Sequence, residues 1–181
     1  MKGESKKYII TGGPGSGKST LVEGLEKAGY SCSAEISRQM IQAEVAKGSD
    51  CLPWLDILCF SDRVIAEMTK AWHAASANPL TFFDRGIPDV IAYLKIDKLE
   101  IPANYLDNLA QHAYEKKVFI LPPWADIYIN DNERWQSFEE ASLIHSAIKN
   151  TYTGFGFELI EVPKVSLAAR IAFVLDKRGE G

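Results

Sequence analysis

The stretch Tyr8 to Leu21 reads YIITGGPGSGKSTL, and within it Gly12, Gly17, Lys18 and Ser19 satisfy G-x-x-x-x-G-K-[ST] without a gap. Those residue types at that spacing suit the capture of a phosphate chain. The loop Gly13, Pro14, Gly15, Ser16, Gly17 can wrap an anion with its backbone N–H groups pointing inward, a conformation that Cβ atoms and positive φ angles obstruct. Lys18 would reach the β- and γ-phosphates, Ser19 would hold Mg²⁺ and Thr20 would complete the binding set. The helix starting there would turn its positive dipole end to the anion. ATP and Mg²⁺ are therefore the expected cofactors. The plain alternative, a glycine-rich turn between a strand and a helix, does not require strand, signature and helix in one register.

Three more places could carry chemistry. Asp84 ends the apolar run Leu80-Thr81-Phe82-Phe83, the position from which a phosphate-loop protein supplies a carboxylate to Mg²⁺. Its structural alternative is the N-cap of the following helix. Many ATP-hydrolysing machines place a glutamate next, to activate water. Here the next residue is Arg85, which cannot act as a base at neutral pH and suits an anionic acceptor or a transferred phosphoryl group. That shifts the reading from motor ATPase to phosphotransferase.

Glu35 follows the second apolar strand, with Arg38 one helical turn further on. A carboxylate there could accept the proton of an attacking hydroxyl while Arg38 and Arg85 orient the acceptor. Equally, Glu35 could be an acid at a helix N-terminus paired with Arg38, a contact worth about 0.2–0.5 kcal/mol. Arg134 sits in a polar stretch with Asp131 and Glu133, the interval in which small kinases carry a lid whose arginine neutralises charge on the transferred group. A surface ion pair with its acidic neighbours is the alternative. The expected catalytic set is Lys18, Glu35, Arg85 and Arg134; the substrate set is Glu35, Arg38 and Arg85; the metal set is Ser19 and Asp84.

These residues need elements to hold them. Apolar strands are expected at Tyr8 to Thr11, Tyr30 to Ala34, Leu80 to Phe83, Val118 to Leu121 and Glu158 to Val162. Between them run helical patterns: one after the loop, ending near Gly29; one from Ile36 to about Gly48; one with Pro53 in its first turn, reaching towards Ala77. Others cover Ile87 to Leu94, Pro102 to Tyr114, the region of Phe138 to Tyr152, and Val165 to Leu175. Alternating strands and helices require crossovers, hence a parallel α/β sheet whose ligands bind beyond the carboxyl ends of the strands.

A chain of 181 residues suffices for one such domain, expected over residues 8–178 with a polar leader at 1–7 and a lid around 124–137. The net charge of −4 argues against sequence-independent binding to nucleic acid. Cys32, Cys51 and Cys59 are odd in number and lack C-x-x-C pairing, so they read as buried small apolar thiols of a reducing compartment. The first seven residues have no apolar stretch of the signal-peptide kind, and no segment approaches a bilayer span, so a cytoplasmic location is the expectation. Trp54, Trp72, Trp124, Trp135, Tyr93 and Tyr128 could stack on a base, but helical spacing reads each as core. His73, His112 and His145 lack metal-like spacing and receive no role.

Taken together, YIITGGPGSGKSTL, AEISRQMI, TFFDRGIPDVIAYL, INDNERWQSFEEA and ELIEVP resemble the small ATPases of the AAA-domain-like group whose phosphate loop is of kinase type. More distantly, they are similar to the ribosylnicotinamide kinase domain of the bacterial NAD-biosynthesis regulator and to deoxynucleoside kinases. The resemblance runs from Tyr8 to about Asp176. It implies a three-layer, kinase-like P-loop fold with five parallel strands in the order 2-3-1-4-5 and helices on both faces. In deoxynucleoside kinases a glutamate after strand two is the base, and an arginine after the strand-three acid lies near the 5′-oxygen; Glu35 and Arg85 match those positions. The ribosylnicotinamide kinase domain has no arginine at the Arg85 position, which speaks against nicotinamide riboside as acceptor.

The leading expectation is an ATP- and Mg²⁺-dependent phosphotransferase acting on a small nucleoside- or nucleotide-like acceptor, with neither membrane nor nucleic acid as partner. A slow ATPase or adenine-nucleotide switch acting through a protein partner is the alternative. A guanine switch is disfavoured, since N-K-x-D is absent and Asp84 to Ile87 does not read D-x-x-G. A binding module without catalysis is the third reading, weakened by the intact Lys18, Ser19 and Asp84.

Overall fold

The computed structural model describes residues 5–128 and 137–179. Five strands, β1 (Lys6–Gly12), β2 (Ser31–Ser33), β3 (Leu80–Asp84), β4 (Lys117–Leu121) and β5 (Glu158–Glu161), form one parallel sheet in the order β2-β3-β1-β4-β5. Seven helices connect or follow them: α1 (Lys18–Lys27), α2 (Ile36–Lys47), α3 (Ile57–Ala75), α4 (Ile87–Ile96), α5 (Ala103–Gln111), α6 (Phe138–Gly154) and α7 (Leu167–Lys177).

Burial of the central strand on both faces follows from its near-continuous apolar run. Tyr8 and Ile10 pack with Leu21 and Leu25 of α1 and Val174 of α7. Ile9 points the other way, into Ala92 of α4 and Ile148 and Tyr152 of α6. Ile9 and Ile10 are both fully buried, each contributing roughly 1.5–3 kcal/mol by area. A third apolar cluster joins α3, α4 and α5 through Phe60, Val64, Met68, Ile91, Leu94 and Tyr105. It holds α3 beside the sheet and so builds one wall of the site.

Register does the positioning. Ile10 lies opposite Asp84 and Gly12 opposite Leu121, so the phosphate loop and the acid of β3 leave the sheet side by side. Ser33 lies opposite Phe83, so Glu35, two residues later, emerges next to Arg85.

Several expectations are corrected. Cys51 and Cys59 form a disulfide, with Cα atoms 5.3 Å apart, and only Cys32 is a free thiol. The reason is a turn that no cysteine spacing announces: Leu55 N–H and Asp56 N–H both donate to the Leu52 carbonyl, at 3.0 and 2.8 Å, folding the chain back within bridging distance. Pro53 belongs to that turn and not to the first turn of α3, whose N-cap is Asp56, accepting from Cys59 N–H at 2.9 Å. The helix before Asn78-Pro79 ends at Ala75, and α5 stops at Gln111, short of Tyr114. Trp54 is no core residue, being half exposed. His73 and His112 are brought to 3.3 Å between their Nε2 atoms, although far apart in sequence. Among the described residues no helix is long and apolar enough to cross a membrane.

Candidate active site

β1 ends at Gly12, and the chain turns through Gly15 (φ +69°) and Gly17 (φ +86°) into α1. A Cβ at Gly15 would lie 2.5 Å from the Tyr128 ring, so both the φ angle and the space demand glycine there. Gly17 is the N-cap of α1 and offers no side-chain acceptor, leaving the first N–H groups of the helix to other partners. Inside the loop, Ser16 Oγ donates to the Gly13 carbonyl at 2.9 Å and Lys18 Nζ to the same oxygen at 3.1 Å. Burial and the neighbouring Arg85 lower the Lys18 pKa to about 8, with Asp84 and Glu35 opposing them.

Asp84 closes β3, almost fully buried. Among the described residues its Oδ1 has no hydrogen-bond partner. Burial raises its pKa to about 6, against the pull of Lys18. It is not the N-cap of α4; Gly86 is. A buried carboxylate oxygen without a donor, with the half-buried Ser19 hydroxyl in the first turn of α1, is a donor set that fits Mg²⁺, which takes one or two carboxylates and leaves its remaining positions to water and phosphate.

Arg85 is the hub of the site. Its backbone is held at φ +79° by a hydrogen bond from its N–H to the Ile10 carbonyl at 3.0 Å. A left-handed conformation in a residue with Cβ costs of order 1–3 kcal/mol and persists only where the surroundings impose it. What imposes it is the guanidinium, buried and divided among three acceptors: Nε to Glu35 Oε1 at 3.2 Å, Nη1 to the Gly12 carbonyl at 3.3 Å, and Nη1 to Asp89 Oδ1 at 3.2 Å. Burial opposes its charge, but Tyr93, Glu35, Asp89 and Asp84 outweigh it and hold the pKa well above the usual value.

Glu35 stands at the N-cap of α2 without capping it; its carboxylate turns to Arg85 instead, with Arg38 Nε at 4.0 Å. Burial raises its pKa, yet Arg85 and Lys18 overcome this and bring it to about 2, so it is ionised across the neutral range. The helix-terminal and cavity readings of this residue thus merge: Arg38 is only a distant partner, and Arg85 is the close one.

Asp89 escaped the reading of the sequence. It accepts from Thr11 Oγ1 and Tyr152 OH, each at 2.5 Å, from Gly86 N–H at 2.9 Å and from Arg85. Four donors on one buried carboxylate fasten Arg85 to β1, α4 and α6 at once. The available signal was its place at N3 of α4, four residues after Arg85, which makes it a natural partner for both the helix start and the arginine.

A cavity of about 530 Å³ opens from the loop. Its lining combines Lys18, Ser19, Glu35, Arg38 and Arg85 with apolar groups, Ile57, Phe60 and Val64 of α3, Val90 of α4, and Trp54. Tyr93, Gln42 and Asp97 add polar groups. The size and the mixed lining are those of a small-molecule site. Trp54, between the two bridged cysteines, is one of the lining residues, which no helical periodicity could foretell. Of the predicted site residues, Asp84 does not line the cavity but acts electrostatically on Lys18, and Arg134 falls outside the described residues, as does most of the expected lid; its beginning is a 3₁₀ turn over Ala125–Ile127.

The order β2-β3-β1-β4-β5 with the phosphate loop on its central strand defines a P-loop domain of the kinase fold. The chain belongs to the AAA domain family AAA_28, whose model matches residues 7–170. No curated protein matches it in sequence. In structure it is similar to the NadR protein in complex with NR, with a TM-score of 0.75 and 20% identity, over 99% of this chain and 52% of that one. The chain therefore spans about half the length of NadR. It is also similar to deoxyadenosine kinase from M. mycoides with the products dCMP and dCDP, with a TM-score of 0.70 and 15% identity, over 97% of this chain and 100% of that one. Thymidylate kinase from Ehrlichia chaffeensis follows, with a TM-score of 0.65 and 14% identity, over 97% and 99% of the two chains. At these identities the likeness defines the fold.

Proposed function

We propose that this protein transfers the γ-phosphoryl group of ATP, with Mg²⁺, to a hydroxyl or phosphate of a small nucleoside- or nucleotide-like acceptor. The observation that carries this reading is the ionised Glu35 carboxylate, held by Arg85 at 3.2 Å on the wall of a cavity that also holds Lys18. The phosphate loop and Lys18 bind the donor, and the acceptor lies in the cavity in front of Glu35. The bond from the γ-phosphorus to the ADP oxygen breaks as the acceptor oxygen bonds to phosphorus, and the acceptor hydroxyl gives its proton to Glu35. Mg²⁺ would be held by Ser19 and Asp84 and would supply charge neutralisation on the phosphates. Arg38 meets the acceptor from the cavity rim, and Arg85 keeps Glu35 ionised and aimed; Arg134 is assigned to the transferred group from the lid. A carboxylate of pKa about 2 is a weak base, which suits a loose transition state in which positioning dominates over proton abstraction.

The kinase-fold neighbours support this reading through their own ligands and names, NR, dCMP and dCDP among them. An ATPase is less well supported, because the residue after Asp84 is the buried Arg85 and not an acid able to activate water. The test is ADP release from ATP and Mg²⁺ with and without a panel of nucleosides, nucleoside monophosphates and nicotinamide riboside. Acceptor-dependent release is expected, abolished by Lys18→Ala. Turnover indifferent to every acceptor would replace this reading with the ATPase or switch.

A further inference from the structure

α7 carries an arginine that the site described so far does not use. Arg170 is 93% buried, with 7% relative exposure, and among the described residues its Nε and Nη1 have no hydrogen-bond partner. Its guanidinium carbon lies 5.6 Å from the centre of the Trp124 ring, a contact with the ring face that satisfies none of its N–H groups. The same side chain presses on the phosphate loop, since a Cβ at Gly17 would fall 2.9 Å from Nη1. Gly17 is the N-cap of α1, a helix of ten residues. A cation with unpaired donors therefore sits at the positive end of a helix dipole.

Each part of this arrangement is unfavourable by itself. A buried guanidinium with unsatisfied N–H groups loses hydration without compensation, and a positive charge at a helix N-terminus is repelled. Burial draws the Arg170 pKa down, and no acid counters it. One kind of ligand reverses all three: an anion with several acceptor oxygens, which the planar fork of arginine matches and the helix terminus attracts. The loop next to it is built for such an anion. Lys18 would reach the β- and γ-phosphates and the loop amides the α- and β-phosphates, so a phosphate chain on the loop would pass beside Gly17, next to which Nη1 of Arg170 lies.

We propose that Arg170 binds the phosphate chain of the donor nucleoside triphosphate directly, extending the anion site of the loop onto α7. The inference rests on the nucleotide-binding half of the proposed function and adds a residue to it. Ile127 Cδ1, in the turn Ala125–Ile127, lies 3.1 Å from the same Cβ position at Gly17, so this turn and Arg170 border the loop together.

The experiment measures equilibrium binding of ATP, ADP and inorganic tripolyphosphate to the full chain with Mg²⁺, in wild type, Arg170→Met and Arg170→Lys, together with melting temperature without nucleotide. Arg170→Met should weaken all three ligands roughly 10- to 100-fold, the range of a charge-assisted hydrogen bond to phosphate. Its melting temperature should be unchanged or higher, since an unpaired buried charge gives way to an apolar chain of similar length. Arg170→Lys should recover part of the affinity. Wild-type affinity in Arg170→Met, a lowered melting temperature, Lys no better than Met, or a loss confined to ATP and ADP with tripolyphosphate unaffected would each overturn the assignment. Absence of ATP binding by the wild-type chain would overturn the proposed function along with it, whereas wild-type binding retained by Arg170→Met would overturn the role of Arg170 alone.

Discussion

Arg85 Nε donates to Glu35 Oε1 across 3.2 Å, while Nη1 of the same guanidinium reaches Asp89 Oδ1, also at 3.2 Å. The carboxylate proposed as proton acceptor and a carboxylate buried in the scaffold thus share one cation. That cation also holds the backbone of the phosphate loop through the Gly12 carbonyl. The phosphate loop, Glu35 and Asp89 are tied together through one side chain.

Removal of this cation should be severe. Arg85→Met leaves Asp89 buried with one donor fewer and frees Glu35 from its main partner, a loss of about 3–5 kcal/mol in unfolding free energy. Because the folded pKa of Glu35, about 2, lies below its ordinary 4.5, the ionised group stabilises the fold above about pH 4.5 and loses that effect as pH falls towards 2. Chemical denaturation at pH 3 and pH 7 should therefore show a larger gap in stability for wild type than for Arg85→Met. Equal gaps would show that Arg85 does not hold the charge on Glu35.

Glu35→Gln keeps the shape of the side chain and deletes the proposed proton acceptor. ATP affinity should be unchanged while acceptor-dependent turnover falls roughly 10²-fold, through lost positioning of the acceptor hydroxyl. Since Glu35 titrates near 2, its own protonation should leave no limb in the rate profile between pH 5 and 8. Normal turnover by Glu35→Gln would remove it from the reaction.

Asp84 should supply the limb that Glu35 does not. Its pKa stands at about 6 where the ordinary value is 3.8, so the ionised form opposes folding above pH 6 and the penalty is relieved as pH falls from 6 towards 3.8. Mg²⁺ needs that ionised form, so the apparent Mg²⁺ affinity in ATP turnover should be constant above about pH 7 and fall below pH 6, approaching tenfold per pH unit. Mg²⁺ titrations at pH 5, 6 and 8 measure this. A Mg²⁺ requirement that is the same at all three would exclude Asp84 as its holder.

Reduction of the Cys51–Cys59 bridge, which closes a sequence separation of eight, should cost about 2–3 kcal/mol by loop-closure entropy. For a domain of this size the melting temperature would fall by roughly 4–12 °C. Melts of the wild type in dithiothreitol and of Cys51→Ser should show the same fall relative to the oxidised wild type. The turn that carries Trp54 loosens with the bridge, so acceptor affinity should weaken in the same samples, and unchanged affinity would show that Trp54 holds its place without it.

The legible part of this protein was written in local pattern. A strand-loop-helix signature, apolar runs of strand length and a proline-glycine punctuation are short-range features, and they suffice to mark the loop at Gly12 to Ser19, the five strands and the acid at Asp84. The strand order was implied by resemblance and is realised in the sheet. What local pattern cannot hold is distance between residues remote in the chain. Glu35 and Arg85 are 50 residues apart, and they meet because β2 pairs with β3 in one register; shifted by one residue, the two side chains would leave the strands on opposite faces. Tyr152 reaches Asp89 across 63 residues because α6 packs on α4. The cysteine pairing was misread for the same reason, since a turn fixed by backbone hydrogen bonds, and not by spacing, brings the two sulfurs together. A reader of the chain alone can therefore locate the phosphate loop and the acid at Asp84, whereas the cluster that holds Glu35 through Arg85 exists only once β1, β2, β3, α4 and α6 have packed, because its bonds join groups that only the sheet and its helices bring within 3.5 Å.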